Sequence, residues 1–169
     1  MTAPGEPRWL TDEEMQAWLP LIRLVTLLPQ VLDRQLRDDA GLTHVQYLIL
    51  ARLSMETDRQ LRMSELANAC AISLSRLSHA VATLEHRGWV TRTTAEDDGR
   101  GQLAVLTDEG QKLLELAAPG HVAVVRRAVF DGFDDDDVAR LAELARYVVK
   151  HLESLITHES RYGTPPGAP

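Results

Sequence analysis

The amino-acid sequence predicts a mainly α-helical fold that contains one small β-hairpin. Apolar residues recur at spacings of three and four over most of the chain, and helix-capping patterns mark where successive helices begin. The period changes once, at residue 89, where a short segment rich in β-branched and aromatic residues (89–94) is followed by a polar loop and a second short strand candidate (102–106). The chain has 169 residues, of which 44% are hydrophobic and 25% charged. This composition is typical of one globular domain and excludes a disordered chain or a coiled-coil rod.

The first predicted helix begins at a capping box, in which Thr11 is the N-cap and Glu14 follows three residues later. Its apolar residues cover more than one stripe, which predicts more than one buried contact. Pro20 and Pro29 are expected to kink or break it. Gly41 is expected to end it.

Three further helices are predicted before the hairpin. A second capping box, at residues 43–46, opens a short helix. Ser64 is predicted to cap the next short helix, and Ser73 a longer helix that ends at Gly88. Residues 70–72 form a tight turn between the last two.

The hairpin and the terminal helices complete the chain. Residues 89–94 and 102–106 are predicted strands, joined by a polar loop that contains glycine. Thr107 caps the following helix, which is expected to run to about residue 130 with a disturbance at Pro119-Gly120. An acidic run at residues 134–137 starts the last helix, because the helix dipole favours acids there.

The helix that Ser73 opens has two different faces. One is apolar and predicted to be core: Leu74, Leu77, Ala80, Val81 and Leu84. The other carries small polar groups and one arginine: Ser75, Arg76, His79, Ala82, Thr83 and His86. Such a face suits the DNA major groove, where base edges must be approached closely. An ordinary amphipathic surface helix is the alternative interpretation.

Two motifs carry a family resemblance. The segment 84–92 reads LEHRGWVTR, and Asp98-Gly99-Arg100 is followed by Leu106-Thr107-Asp108-Glu109-Gly110. These resemble the helix-to-wing junction and the D-x-R…L-T-x-x-G wing signature of the MarR family of bacterial transcription regulators. The resemblance implies a winged helix-turn-helix at residues 43–107. The order of elements extends it to about residues 11–157.

The polar helix face, the helix before it and the resemblance together predict the DNA-binding residues: Ser64, Ser73, Ser75, Arg76, Ser78, His79, Thr83, Arg92 and Arg100. The resemblance implies that Arg100 enters the minor groove and that Asp98 orients an arginine by a salt bridge. Many family members have arginine at the positions of His79 and Thr83. The resemblance therefore does not predict which bases this helix contacts.

The resemblance implies a homodimer on a pseudo-palindromic operator, most simply a repressor that a small-molecule or other signal releases. The helical regions 11–42 and 108–158 would form the dimerisation region, and residues 1–10 and 159–169 loose tails. Dense apolar runs in the terminal helices favour a two-fold interface independently. A helical protein-interaction module without DNA binding is the alternative function.

The charge is acidic overall but not in the middle of the chain. The formal net charge is −7, from 18 basic and 25 acidic residues. Between Arg62 and Thr107, however, five basic residues balance five acidic ones, and residues 73–95 carry three arginines against Glu85 alone. This distribution argues against indiscriminate DNA binding and leaves a specific nucleic-acid partner open.

The sequence does not favour an enzyme, a redox sensor, a metal-binding protein or a membrane protein. The chain has none of the G-x-S-x-G, phosphate-loop or H-E-x-x-H motifs, so an enzyme is not expected, nor is a cofactor. Cys70 is the only cysteine, and its apolar neighbours favour packing over redox sensing. The histidines do not have metal-ligand spacing. No signal peptide and no uninterrupted apolar run of about 18 residues is present, which predicts a cytoplasmic protein without a membrane partner.

Trp18, Arg23, His44 and Tyr47 are residues expected near an effector cavity of the MarR type. Core or interface packing is the favoured interpretation for each. No effector site is therefore assigned from the sequence.

Overall fold

The computed structural model describes residues 7–94 and 101–161. In these residues the fold is mainly helical with a small antiparallel sheet, as predicted. Its elements, in chain order, are α1 (Asp12–Ala40), α2 (His44–Ser54), β1 (Gln60–Arg62), α3 (Met63–Ala69), α4 (Leu74–His86), β2 (Val90–Thr94), β3 (Gln102–Leu106), α5 (Asp108–Val125), a π-helix (Arg126–Phe130) and α6 (Asp135–Arg161).

The bounds of α1 confirm the predicted start and end. The Glu14 amide donates to Thr11 Oγ1 at 3.2 Å, and the Glu14 carboxylate accepts the Thr11 amide at 2.8 Å. Gly41 ends the helix with a left-handed φ of 63°. The predicted break at Pro20 or Pro29 is wrong, because α1 continues through both prolines. Each proline removes one bond from a long ladder whose neighbouring turns remain helical.

The start of α3 differs from the prediction. Arg62, not Ser64, is the N-cap, and its amide donates to the Glu65 carboxylate at 3.3 Å. The prediction that Ser64 caps this helix is therefore wrong. The cause is β1, since the chain leaves this strand at Arg62 and turns into the helix without a linker.

The sheet has three antiparallel strands in the order β1-β3-β2. The hairpin strands β2 and β3 confirm the prediction, with Arg92 opposite Ala104. β1 was not predicted, because its three residues are too short for an alternating pattern to be visible. It pairs Leu61 with Ala104 and so joins the helix-turn-helix to the hairpin.

A hydrophobic core joins α1 to α5 in the first part of the chain. Its fully buried large side chains come from α1, the α1–α2 turn, α2, α3, α4 and β2: Leu36, Leu42, Ile49, Leu50, Leu53, Leu66, Leu77, Val81, Leu84 and Val90. Leu114 and Ala117 of α5 belong to the same cluster. The prediction that Leu74 is core is wrong, since 51% of this residue is exposed. It is the first residue of α4 and precedes the turn where the buried face begins with Leu77.

The chain divides into two compact units after Val125. α5 runs unbroken to that residue, so the disturbance expected at Pro119-Gly120 is wrong, and the predicted last turn to residue 130 is the π-helix. In the second unit, Asp134 Oδ1 accepts the Asp137 amide at 2.8 Å, which confirms the acidic helix start.

Many large apolar side chains of α1 and α6 are exposed. In α1 these include Trp18, Leu19, Leu21, Ile22, Leu24, Val25, Leu27 and Val31; in α6 they include Leu144, Tyr147, Val149, Leu152, Leu155 and Ile156. Among the described residues, α1 is the one helix long and apolar enough to cross a bilayer by length and composition. Such length and composition are weak evidence for a membrane span, because the core helices of soluble proteins share them.

Candidate nucleic-acid interface

The turn between α3 and α4 sets the position of α4. Hydrogen bonds of 3.0 Å run from the Cys70 amide to the Leu66 carbonyl and from the Ile72 amide to the Ala67 carbonyl, with Ala71 at a left-handed φ of 51°. The predicted tight turn is thus confirmed. Two helices joined by so short a turn form a helix-turn-helix, whose second helix enters the major groove in DNA-binding proteins.

Ser73 begins α4 as predicted, and its hydroxyl oxygen accepts the Arg76 amide at 3.3 Å. The first amides of a helix have no partner within the helix, and together with the positive end of the helix dipole they favour a phosphate. Ser73 is itself exposed, so it lies where a DNA backbone could reach it.

The polar face of α4 is open to solvent. Ser75, Arg76 and His79 are exposed, whereas Ser78 and Thr83 are half-buried. The Thr83 hydroxyl donates to the His79 carbonyl at 3.2 Å, so its oxygen retains acceptor capacity. Apart from Leu74, the two predicted faces of this helix are confirmed.

Arg92 on β2 is fastened to α4. Its Nε donates to Glu85 Oε2 at 2.9 Å, and a second nitrogen of the same guanidinium bonds the same oxygen. These bonds from Arg92 lower the pKa of Glu85. The pair was not predicted from the sequence, because its partners are seven residues apart on different elements. The pair balances the charge of Arg92 and holds the hairpin against α4.

The L-T-x-x-G motif connects the start of α5 to the end of α4. The Thr107 hydroxyl donates to the Gly88 carbonyl at 2.8 Å and accepts the Gly110 amide at 3.0 Å. The Thr107 amide donates to the Trp89 carbonyl at 3.2 Å. Gly110 is required because a Cβ there would lie 2.1 Å from the Trp89 oxygen and 2.7 Å from Leu106 Cδ1. The motif therefore has a structural explanation as a close contact between two backbones.

Further contacts hold the same junction. The Arg87 guanidinium lies over the Trp89 ring at 5.1 Å from its centroid. Arg59 pairs with Asp108 at 3.1 Å, and the Leu106 amide donates to the Arg59 carbonyl at 2.9 Å. The first turn of α5 is thus fixed to the last turn of α4 and to the turn before β1.

The remaining predicted site residues lie elsewhere. Ser64 is exposed as the second residue of α3. Asp98 and Arg100 lie outside the described residues, so the minor-groove arginine and the wing salt bridge stay predictions.

A cluster of rings lies where α1, α2 and α5 meet. The His121 ring is 4.3 Å from Tyr47 and 6.0 Å from His44, centroid to centroid. His121 is 9% exposed, and its Nδ1 has no hydrogen-bond partner among the described residues. The Asp33 carboxylate accepts the His44 amide at 2.9 Å and also pairs with Arg37. Sequence analysis had singled out His44 and Tyr47 but not His121, whose surroundings on a long helix gave no signal.

Burial determines the protonation of this cluster. It lowers the pKa of both histidines, and the neighbouring His44 lowers that of His121 further. It also raises the pKa of Tyr47. Cys70, half-buried behind α4, likewise has a pKa raised by burial, which disfavours the reactive thiolate.

Residues 40–101 match the model of the MarR family. The solved structure of Sco3205, a MarR family transcriptional regulator from Streptomyces coelicolor in complex with DNA, is 50% identical; the match covers 88% of this chain and 93% of that one, with a TM-score of 0.84. AbsC, a MarR family transcriptional regulator from the same organism, is 38% identical over 88% and 99% of the two chains, with a TM-score of 0.82.

The chain belongs to the MarR family. An HTH-type transcriptional regulator of Bacillus cereus, 29% identical over 80% of this chain and 88% of its own, agrees with that assignment. The protein is thus a MarR-family transcriptional regulator with a DNA-binding winged helix, and not an enzyme. The sequence resemblance is confirmed.

Proposed function

We propose that this MarR regulator is a cytoplasmic, homodimeric repressor that binds a pseudo-palindromic operator. The observation that carries the proposal is the open polar face of α4, presented by a helix-turn-helix in a chain half identical to a regulator solved with DNA. In this proposal residues 43–107 form the DNA-binding domain, residues 11–42 and 108–158 the dimerisation region, and residues 1–10 and 159–169 loose tails.

The exposed apolar side chains of α1 support the dimer. Leu19, Leu24, Val25 and Leu27 are each about half exposed or more. Leaving such side chains in water forgoes about 25 cal/mol for each Å² of apolar surface that an interface would bury. A two-fold interface buries the same patch on both copies and matches a palindromic site.

The proposal assigns individual contacts to the exposed and half-buried polar residues of α4. Ser73 and the first amides of α4 bind phosphate, while Ser75, Arg76, Ser78 and His79 face base edges or adjacent phosphates. No ion pair involves Arg76 among the described residues, which leaves its guanidinium available to guanine. Thr83 lies one turn beyond His79 on the same face.

The elements around α4 supply the remaining proposed contacts. In this proposal Ser64 on α3 contacts the DNA backbone on one side of α4. Arg92 on β2 lies beside the DNA backbone on the other side of α4. In this proposal Arg100 enters the minor groove, and Asp98 orients an arginine by a salt bridge. The acidic remainder of the chain restricts binding to sites where these contacts combine.

We propose repression because a dimer bound at a promoter would occupy DNA that the polymerase needs. A dimer seated on two half-sites within a promoter excludes polymerase from the same DNA. A small-molecule or other signal would release it by changing the separation of the two DNA-binding lobes. A helical interaction module without DNA binding is the competing function, and it predicts no salt-sensitive DNA affinity.

Selection from random duplexes, followed by titration of the selected sequence at several salt concentrations, tests the proposal. We expect a log–log salt slope of several units, because each neutralised phosphate contributes about 0.9. Arg76→Ala should weaken binding and change the selected sequence. Arg8→Ala removes the same charge from an exposed position outside both the proposed DNA-binding domain and the proposed dimerisation region, and it serves as the matched control. Equal weak binding to all duplexes by the wild-type protein would refute specific binding.

Sedimentation equilibrium tests the dimer separately. The mass expected is twice the 18.8 kDa of the chain. A monomer at the concentrations that saturate DNA would contradict the proposed two-fold mode of binding.

A further inference from the structure

Leu74 is a large apolar side chain at the start of the recognition helix. It directly follows the N-cap Ser73, and 51% of it is exposed. Its neighbours Ser75 and Arg76 are exposed too, so that Leu74 is the apolar member of an otherwise polar helix end. The exposure is notable because the helical pattern assigns this position to the core.

An isolated exposed leucine is common on protein surfaces and needs no function. The position of Leu74 is what distinguishes it. In a helix-turn-helix the N-terminal residues of the second helix are those that contact base edges. Ser73 caps α4, so Leu74 is the first of these N-terminal residues.

The chemistry of the major groove restricts what a leucine can read. Its side chain has no hydrogen-bond donor or acceptor, so it gains nothing from the N7, O6 or N4 groups of the purines and of cytosine. The 5-methyl group of thymine is the apolar feature that the groove presents. Burying this methyl group against Leu74 removes apolar surface of both molecules from water.

We propose that Leu74 reads the 5-methyl group of a thymine in each half-site and so adds apolar specificity to the polar contacts of α4. The inference rests on the proposed DNA binding by α4. It assigns to Leu74 a role that is separate from the hydrogen bonds of Arg76 and His79.

Replacement of thymine by uracil provides the test, because uracil lacks only the methyl group. Single thymines of the selected operator are replaced one at a time, and the affinity of the full-length protein is measured for each duplex. One buried methyl corresponds to about a fourfold change in affinity. We expect one position in each half-site to show this loss with the wild-type protein.

The variants Leu74→Ala and Leu74→Met complete the test. Leu74→Ala should bind thymine and uracil duplexes equally, whereas Leu74→Met, which keeps a long apolar side chain, should retain most of the preference. Since Leu74 is half exposed, neither variant should change the unfolding midpoint appreciably. Indifference of the wild-type protein to uracil at every position overturns the inference, as does full discrimination by Leu74→Ala. In both of these outcomes the protein still prefers the selected operator over other duplexes. Failure of the proposed function would instead show as equal binding to all duplexes.

Discussion

Replacing Gly110 with alanine should destabilise the protein, although alanine is the better helix former. A Cβ at this position would lie 2.1 Å from the Trp89 carbonyl oxygen, whereas real Cβ contacts essentially never fall below 3.0 Å. The two backbones must therefore separate by about 0.9 Å or more, a lower bound set by that contact distance. The hydrogen bond from the Thr107 amide to the same oxygen, 3.2 Å long, cannot survive a movement in that direction.

The net effect follows from three contributions. Overpacking of this size costs about 1–3 kcal/mol. The lost hydrogen bond adds about 1 kcal/mol. The helix propensity of alanine opposes these terms by about 1 kcal/mol. We therefore expect the free energy of unfolding of Gly110→Ala to fall by about 1–3 kcal/mol.

Urea unfolding followed by tryptophan fluorescence and circular dichroism, at equal protein concentrations, measures this change. Gly120→Ala is the matched control on the same helix. Its Cβ would meet side-chain atoms of Asp39 and Gln35 at 3.1 and 3.2 Å, and these can give way. It should stay within about 1 kcal/mol of wild type. If Gly110→Ala is as stable as Gly120→Ala, the close contact at the α4–α5 junction does not constrain the fold.

Three further predictions concern charge and protonation. Glu85→Gln frees the charge of Arg92 and should steepen the salt dependence of DNA binding by up to about one phosphate equivalent; an unchanged slope would show that Arg92 only fastens the hairpin. Because the pKa of His121 lies below 6.5 in the folded state, the unfolded chain takes up a proton first, and stability should fall as the pH drops below about 6.5. His121→Phe should reduce this loss in acid unfolding curves, and an equally steep curve would exclude His121 as its source. Arg76→Ala should reduce the preference for guanine at one position, as measured by selection, and an unaltered selected sequence would contradict the proposed base contact.

Local signals in the sequence predicted most of the helical bounds. The capping boxes at Thr11 and Thr43 and the glycine at residue 41 act through bonds to neighbours three to six residues away, which a sequence displays directly. The hairpin strands were visible because the period changed at Trp89. The failures at β1 and at the α3 cap have one cause, since a three-residue strand exists only through its pairing with β3.

The sequence predicted which residues share the polar face of α4, but it did not predict the contacts that α4 makes with other elements. The helical period placed Ser75, Arg76 and His79 on one exposed surface. It could not show that Leu74 leaves the core, because exposure at a helix end depends on what packs against that end. Nor could it show the Glu85–Arg92 pair, whose partners are brought together only when the hairpin folds back on α4.

Hydroxyl-radical footprinting on the selected duplex tests the central claim most directly, namely that a dimer of this MarR regulator places two α4 helices in successive major grooves. We expect two protected segments related by a dyad, with centres about 10 base pairs apart, at concentrations where the protein is dimeric. A single protected segment, or protection spread evenly along the duplex, would contradict it.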